Sequence, residues 1–465
     1  MHNVPYMVLS NPLVPFAIGV IAVVLLLVWL KLPAFVGLIL AAMAIGIATP
    51  ELAFATVPEA LAEAFGETMV DIGIPILMAA IIGKCLMDSG AAERVVRAFL
   101  SITGEGNSEY ALLGSSYVLS IPVFFDNVFY LLAPLGRSMK ARTGIKYSLY
   151  ISVLASGALA THMLVPPTPG PLAAAGSLGV DLGLAIAIGA MVALPASLLG
   201  GIVYGTFLHN RVDFPLREAM GSTPESLEEK AETPTEQLPG LLESSLPILL
   251  PVVLIASSTI ADALAEQEII AEEGAIVQFA SFVGDANFAL TAAALVAAYT
   301  FYRLEVQDRE LFNEELTEAL KSGGNIIAIT AAGGTFGAML AEAGVGEYIA
   351  EGLAALGISL LIAGWLIAAV IRVAQGSATV AILTGAAIMA PLLGTLTVNP
   401  VYMLMAVGCG GMIAPWYNDS GFWIISEVAG ITQAETFQTY SVSATIMSIS
   451  GLIVVLVMST ILPLV

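Results

Sequence analysis

Ala160-Thr161-His162-Met163-Leu164-Val165-Pro166-Pro167-Thr168-Pro169-Gly170-Pro171 interrupts an apolar stretch that runs from about residue 147 to 177. Four prolines in six residues cannot continue a helix, because each lacks an N–H and its ring clashes with the preceding turn. The break leaves backbone carbonyls, and the Thr161 and Thr168 hydroxyls, free of helical partners. In a bilayer such a break is tolerated only where it is buried in protein or lines a polar cavity. The fold therefore turns on whether this stretch lies in a membrane.

Composition settles that point. Of 465 residues, 58% are hydrophobic and only 11% are charged, against about 25% charged in an ordinary soluble domain. The mean hydropathy is +0.92. No soluble domain buries that much apolar surface, because area grows too slowly relative to volume. The chain is read as an all-α polytopic membrane protein. Fifteen basic residues against 37 acidic ones give a net charge of −22, and a pI near 4.3 repels phosphate, which excludes nucleic acid as a partner. Disordered, collagenous and disulfide-scaffold classes are excluded too. The acid excess reads as a solvated acidic surface, as in an acid-rich, salt-adapted proteome. Cys85 and Cys409 lie in apolar surroundings and imply neither a disulfide framework nor a metal site. No cofactor is expected.

Apolar runs fall at about 14–30, 33–49, 69–87, 110–135, 147–177 and 182–207. The segment from His209 to Glu243 is polar, with eight acids, three bases and several prolines, the composition of a solvated linker. Six more runs follow at about 245–264, 276–302, 323–341, 358–394, 398–430 and 439–463. Three short matches join the halves in the same order: Leu86–Ala91 with Leu340–Val345, Leu132–Leu135 with Met389–Leu392, and His162–Pro166 with Gly411–Pro415. Matches in one order at nearly one offset point to a duplication.

Positive charges stay cytoplasmic near helix ends. With the N-terminus outside, the acidic loop at 50–67 is outside, and thirteen of the fifteen bases fall inside. This holds if the runs at 110–135 and 358–394 are re-entrant hairpins. The two bases left are Lys84, read as snorkelling to the cytoplasmic surface, and Arg372. Each half then has about five crossings plus one hairpin, and an odd number of crossings inverts one half relative to the other. The domains are residues 1–207 (hairpin 110–135, broken helix 147–177), an acidic cytoplasmic linker at 208–244, and residues 245–465 (hairpin 358–394, broken helix 398–430). Both termini lie outside. Inverted repeats with interrupted helices are the architecture of secondary transporters, with the site near the midplane.

Four polar interruptions occupy matching places. In Ile121-Pro-Val-Phe-Phe-Asp126-Asn127, an acid at membrane depth is either functional or a cap on the hairpin tip. His162 of the proline break is either a proton carrier or a neutral structural donor. Arg372-Val-Ala-Gln375-Gly376-Ser377-Ala-Thr379 offers a tight tip, hydroxyls and a guanidinium. Arg372 either binds a substrate carboxylate or pairs internally with an acid such as Asp419. Asn418-Asp419-Ser420-Gly421-Phe-Trp423 follows Pro415 as the counterpart of the first break.

These strings, with Pro122-Val-Phe-Phe-Asp126, Val165-Pro-Pro-Thr-Pro-Gly-Pro171 and Gln375-Gly-Ser-Ala-Thr379 among them, resemble the gluconate permease (GntP) family along essentially the whole chain. The resemblance implies a non-enzymatic inner-membrane symporter that takes up gluconate or a related sugar acid with protons. It also implies membership of the broad ion transporter superfamily, whose members are typically homodimers with a scaffold and a moving elevator domain. The acid-rich linker departs from the family and leaves sodium open as the coupling ion. Glycerate, idonate and fructuronate stay open as substrates.

On this reading one polyhydroxy carboxylate sits among Asp126, Asn127, Thr161, His162, Thr168, Arg372, Gln375, Gly376, Ser377, Thr379, Asn418, Asp419, Ser420 and Gly421. Its carboxylate lies towards Arg372 or towards backbone N–H groups at a half-helix start. Asp126, His162 or Asp419 carries the coupled proton. The hairpins and broken helices move, while helices at 13–49, 182–207, 245–302 and 439–463 form the scaffold. An intramembrane enzyme or a channel is a rival that needs no inverted repeat.

Overall fold

The computed structural model describes residues 11–30, 32–143, 146–212, 214–217, 238–266, 269–271, 273–306, 308–344, 359–416 and 419–464. Among them every regular element is helical. Six helices are long and apolar enough to cross a membrane, and eight if each of two bent pairs counts as one span. The central part of the linker at 208–244, and Asn418, lie outside the described residues.

The first half opens with α1 (Leu13–Val23) and α2 (Ala34–Ala48), then the long α3 (Val57–Asp88) and a short amphipathic α4 (Ala91–Thr103). Helix α3 corrects one expectation: residues 57–67 are helix, not loop. Glu59, Glu63 and Glu67 recur every fourth residue on its exposed side, while Val57, Leu61 and Ala64 are buried behind them. This is the periodicity of an amphipathic helix, and the acid count obscures it. Next come α5 (Ser108–Leu119), α6 (Phe125–Thr143), α7 (Tyr147–Leu164), α8 (Pro169–Ser177) and α9 (Leu182–His209).

After the linker the chain forms α10 (Leu241–Glu266), the bent pair α11 (Ala275–Gly284) and α12 (Ala286–Phe301), and a second long helix, α13 (Arg309–Glu342). Then follow α14 (Leu360–Gln375), α15 (Ala378–Met389), α16 (Val401–Gly411), α17 (Ser420–Ala429) and α18 (Gln433–Ile461). A long helix, two helices meeting at a short turn, and a helix interrupted near prolines thus occur in that order on both sides of the linker. Two of the internal sequence matches fall on equivalent features. Gly90 and Gly344 close α3 and α13 in left-handed backbone (φ +72° and +65°), and the strings beginning at His162 and Gly411 both stand where a helix stops.

The packing is reciprocal. α5 lies on α7, and α14 lies on α16. The second helix of each turn also packs on the far piece of the other half's broken helix, α6 on α17 and α15 on α8. Helices α3 and α13 run along one another. Lys84 joins them, with Nζ 2.8 Å from Asp88 and 2.6 Å from Glu315. It is an ion-paired link between the long helices rather than a side chain merely snorkelling to the surface.

The interrupted helix α7 is almost wholly buried, which is why its polar residues matter. Small neighbours let its end pack tightly. A Cβ on Gly408 would stand 2.8 Å from the Met163 carbonyl oxygen, and one on Gly189 would overlap the carbonyl of Leu164. Backbone cannot give way as a side-chain tip can. Gly189→Ala is therefore expected to destabilise the protein by about 1–3 kcal/mol through overpacking, read as a lower thermal midpoint in detergent. An unchanged midpoint would show that the break is loosely held. The outward faces carry exposed Ile276, Phe279, Phe282, Leu295 and Tyr299, a surface suited to acyl chains rather than water.

Candidate functional site

The four polar interruptions converge on one cavity of about 330 Å³, a size within the usual range for small-molecule sites. Phe125 and Asp126 enter it from the start of α6, and Leu159, His162 and Met163 from the last turns of α7. Arg372, Gly376, Ser377, Ala378 and Thr379 come from the α14–α15 turn, and Asp419, Ser420 and Gly421 from the start of α17. Tyr440, on α18, completes the lining.

Each break is built for its place. At the α14–α15 turn, Gly376 takes φ +91°, left-handed backbone that favours glycine. Ser377 Oγ then accepts from Val380 N at 3.3 Å and caps α15. Asp419 caps α17 in the same way, its Oδ1 accepting from Gly421 N at 3.1 Å. A Cβ on Gly421 would stand 3.0 Å from the Phe125 ring and 3.1 Å from the Tyr440 hydroxyl, so glycine lets those aromatics close over the helix start. Three helices, α6, α15 and α17, therefore begin at the cavity. Their first-turn N–H groups lack intrahelical acceptors, and their dipoles make this end favourable for an anion.

The charged groups divide into engaged and free. Arg372 is buried, donates from Nη2 to Asp419 Oδ2 at 2.7 Å, and donates from Nη1 to the Gly376 carbonyl. The Tyr440 hydroxyl donates to the same Asp419 oxygen at 3.0 Å, and its ring stacks on Phe125 with centroids 5.8 Å apart. The internal pair foreseen for Arg372 is formed, with the arginine still part of the cavity lining. Asp126 makes no hydrogen bond or salt bridge among the described residues; the cap on the hairpin tip is not formed. His162 lies edge-on to Phe124, and its Nδ1 is buried without a partner among the described residues.

Other expected members lie elsewhere. Thr161 turns its hydroxyl back to the Gly157 carbonyl (3.3 Å), and Thr168 donates to the Val165 carbonyl (2.7 Å). Both are buried and outside the cavity lining, because a threonine in or beside a helix finds its nearest acceptor in its own backbone. Asn127 sits beside Asp126 but off the lining. Gln375 ends α14, and its side chain, like Asn418, is outside the described residues. Among the described residues no group of three or more His, Cys, Asp or Glu side chains is placed to hold a metal ion. Tyr440 escapes the sequence reading, because it lies in the run at 439–463, which shows no internal proline or charged break. The signal was a π-helical turn, Phe437–Ser441, a distortion that often marks functional sites but is silent in periodicity.

Known proteins resemble this chain along nearly its whole length. Residues 11–461 match the model of the GntP family permeases. The chain belongs to the GntP family. Among curated members, the high-affinity gluconate transporter of Escherichia coli (strain K12) is 34% identical over 444 residues, covering 95% of this chain and 98% of that protein. The gluconate permease of Bacillus subtilis (strain 168) is 32% identical over 449 residues, 96% of this chain and 99% of that protein. The fold is similar to that of Neisseria gonorrhoeae MtrF, described with a class of antimetabolite efflux pumps, with a TM-score of 0.62 at 16% identity over 88% of this chain and 84% of that one. This GntP family member is thus a multi-pass membrane permease, and its four polar interruptions meet at one cavity.

Proposed function

We propose that the protein is a secondary active transporter importing gluconate or a related sugar acid by proton symport. The observation that carries this reading is the cavity, where three helix starts, the Ser377, Thr379 and Ser420 side chains and the carboxylate of Asp126 face one space. A sugar acid has one carboxylate and a row of alcohols. With Arg372 engaged by Asp419, the substrate carboxylate is assigned to the N–H groups at the starts of α15 and α17. The alcohols are assigned to the serine and threonine hydroxyls and to His162. Asp419 is held by Arg372 and Tyr440, whereas Asp126 has no such partner among the described residues, and the coupled proton is assigned to Asp126. The names of the curated relatives support gluconate as the substrate.

Alternating access is assigned to an elevator movement of the two hairpins, α5–α6 and α14–α15, with the two broken helices, within a homodimer whose linker is cytoplasmic and whose termini are outside. Reciprocal packing of α6 on α17 and α15 on α8 supports an inverted repeat, since a two-fold relation exchanges those pairs. The test is uptake of labelled gluconate into proteoliposomes under a proton gradient and a sodium gradient imposed separately. Accumulation driven by protons alone is expected. Sodium-driven uptake would replace the proton with a cation, and no uptake under either gradient would overturn gluconate as substrate.

A further inference from the structure

The helices that open on the cavity are joined again at their far ends. Helix α6 carries Asp126 at its start and Arg137 about three turns on. Helix α17 runs from the cavity to Ala429, and α7 runs from Tyr147 to the cavity at His162. Arg137 is fully buried and donates from Nη1 to the Ala429 carbonyl at 2.9 Å, and the Tyr147 hydroxyl donates to that same carbonyl. Carbonyls in a helix's last turn have no intrahelical donor, so this one acceptor ties α6 and α7 to the end of α17.

A fourth segment closes the cluster. Residues 214–217 follow α9 at the start of the linker. Phe214 is fully buried, and the Arg217 carbonyl accepts from Arg137 Nη2 at 2.6 Å. The Arg217 guanidinium meets both carboxylate oxygens of Glu435, at 2.6 and 2.9 Å, and also donates to the Gly430 carbonyl at 3.3 Å. Glu435 also accepts from Thr432 N at 2.7 Å in the capping box that opens α18, the helix that carries Tyr440 into the cavity about one turn later. The forked geometry is the strong form of an Arg–carboxylate pair. The Arg217 side chain remains 38% exposed, so this member of the cluster can detach without opening a core.

We propose that Arg217 is a positioning residue and that residues 214–217 act as a strap. Docked, it holds the far ends of α6, α7, α17 and α18 in register, and through them the cavity groups Asp126, His162, Asp419 and Tyr440. Released, it loosens the site from a distance and gives the linker a handle on transport. The uptake arm of the test rests on the transport reading above, whereas the exchange arm does not.

The experiment compares the full-length protein with Arg217→Ala, Arg217→Lys and the charge swap Arg217→Glu with Glu435→Arg. Amide hydrogen exchange is followed at 419–423 and 438–442, and gluconate uptake is measured in proteoliposomes. In Arg217→Ala, exchange at those cavity peptides is expected to rise and the half-saturation concentration to increase about tenfold, with the maximal rate changed less. Arg217→Lys loses the fork and is expected to rescue only in part, and the swap, which re-forms the ion pair but not the Thr432 cap or the Gly430 bond, is expected to restore both readouts in part. Changes confined to 214–217 and 429–436 would show a merely local role and overturn the proposal. Should the wild type take up no gluconate, the exchange comparison alone decides: faster exchange at the cavity supports the strap, and unchanged exchange there overturns it.

Discussion

Asp126→Asn is expected to abolish gradient-driven accumulation, bringing the ratio of internal to external gluconate to about one, because coupling requires that proton and substrate change each other's affinity. Asparagine keeps the size of the protonated acid but cannot release a proton. Counterflow exchange of labelled for unlabelled substrate should therefore continue while net proton-driven uptake is lost. The argument rests on position and partners. Asp126 stands in the first turn of α6, faces the cavity, and has no hydrogen bond or salt bridge among the described residues. Asp419, in contrast, is held by Arg372, Tyr440 and its own helix start. Proton-driven accumulation by Asp126→Asn would remove the residue from the mechanism and leave His162 to be tested next.

Removing the guanidinium at 372 is expected to have the largest effect on stability. Arg372 and Asp419 are 1% and 9% exposed, and a buried pair broken from one side costs about 3–5 kcal/mol because the remaining charge has lost its partner. Arg372→Ala should lower the thermal midpoint sharply. Asp419→Asn added to it should recover most of the loss, since the double variant buries no net charge. The same pair of variants separates the two readings of Arg372. If the arginine serves Asp419, the stabilised double variant retains measurable gluconate affinity. If it bound the substrate carboxylate directly, affinity would stay lost however stable the protein became. An unshifted midpoint in Arg372→Ala would show that the pair contributes little to the fold.

Much of this architecture was legible residue by residue. Prolines at 166, 167, 169 and 171 mark the first broken helix because the chemistry of the imide is local: no partner elsewhere in the chain restores the missing N–H. Gly376 marks a tight tip for an equally local reason. The start of α3 was misread because an acid count ignores phase, and Glu59, Glu63 and Glu67 form a stripe only once the helical period is applied. Arg372 stood out as the base within an apolar run that the charge rule could not place. Its engagement could not be assigned from sequence, because both a substrate carboxylate and Asp419 satisfy the same fork.

Local chemistry therefore determined the membrane class, the four interruptions and the family strings, since each depends on composition or on neighbours a few residues apart. Tertiary structure alone decided which side chains are spent on one another. It turned Thr161 and Thr168 back to their own backbone, spent Arg372 on Asp419, brought Tyr440 in from an uninterrupted helix, and placed Arg137 and Arg217 where the cavity helices end. Those outcomes depend on distances between segments far apart in the chain, and an unpaired polar group in a membrane protein takes whichever partner the packing brings within about 3 Å.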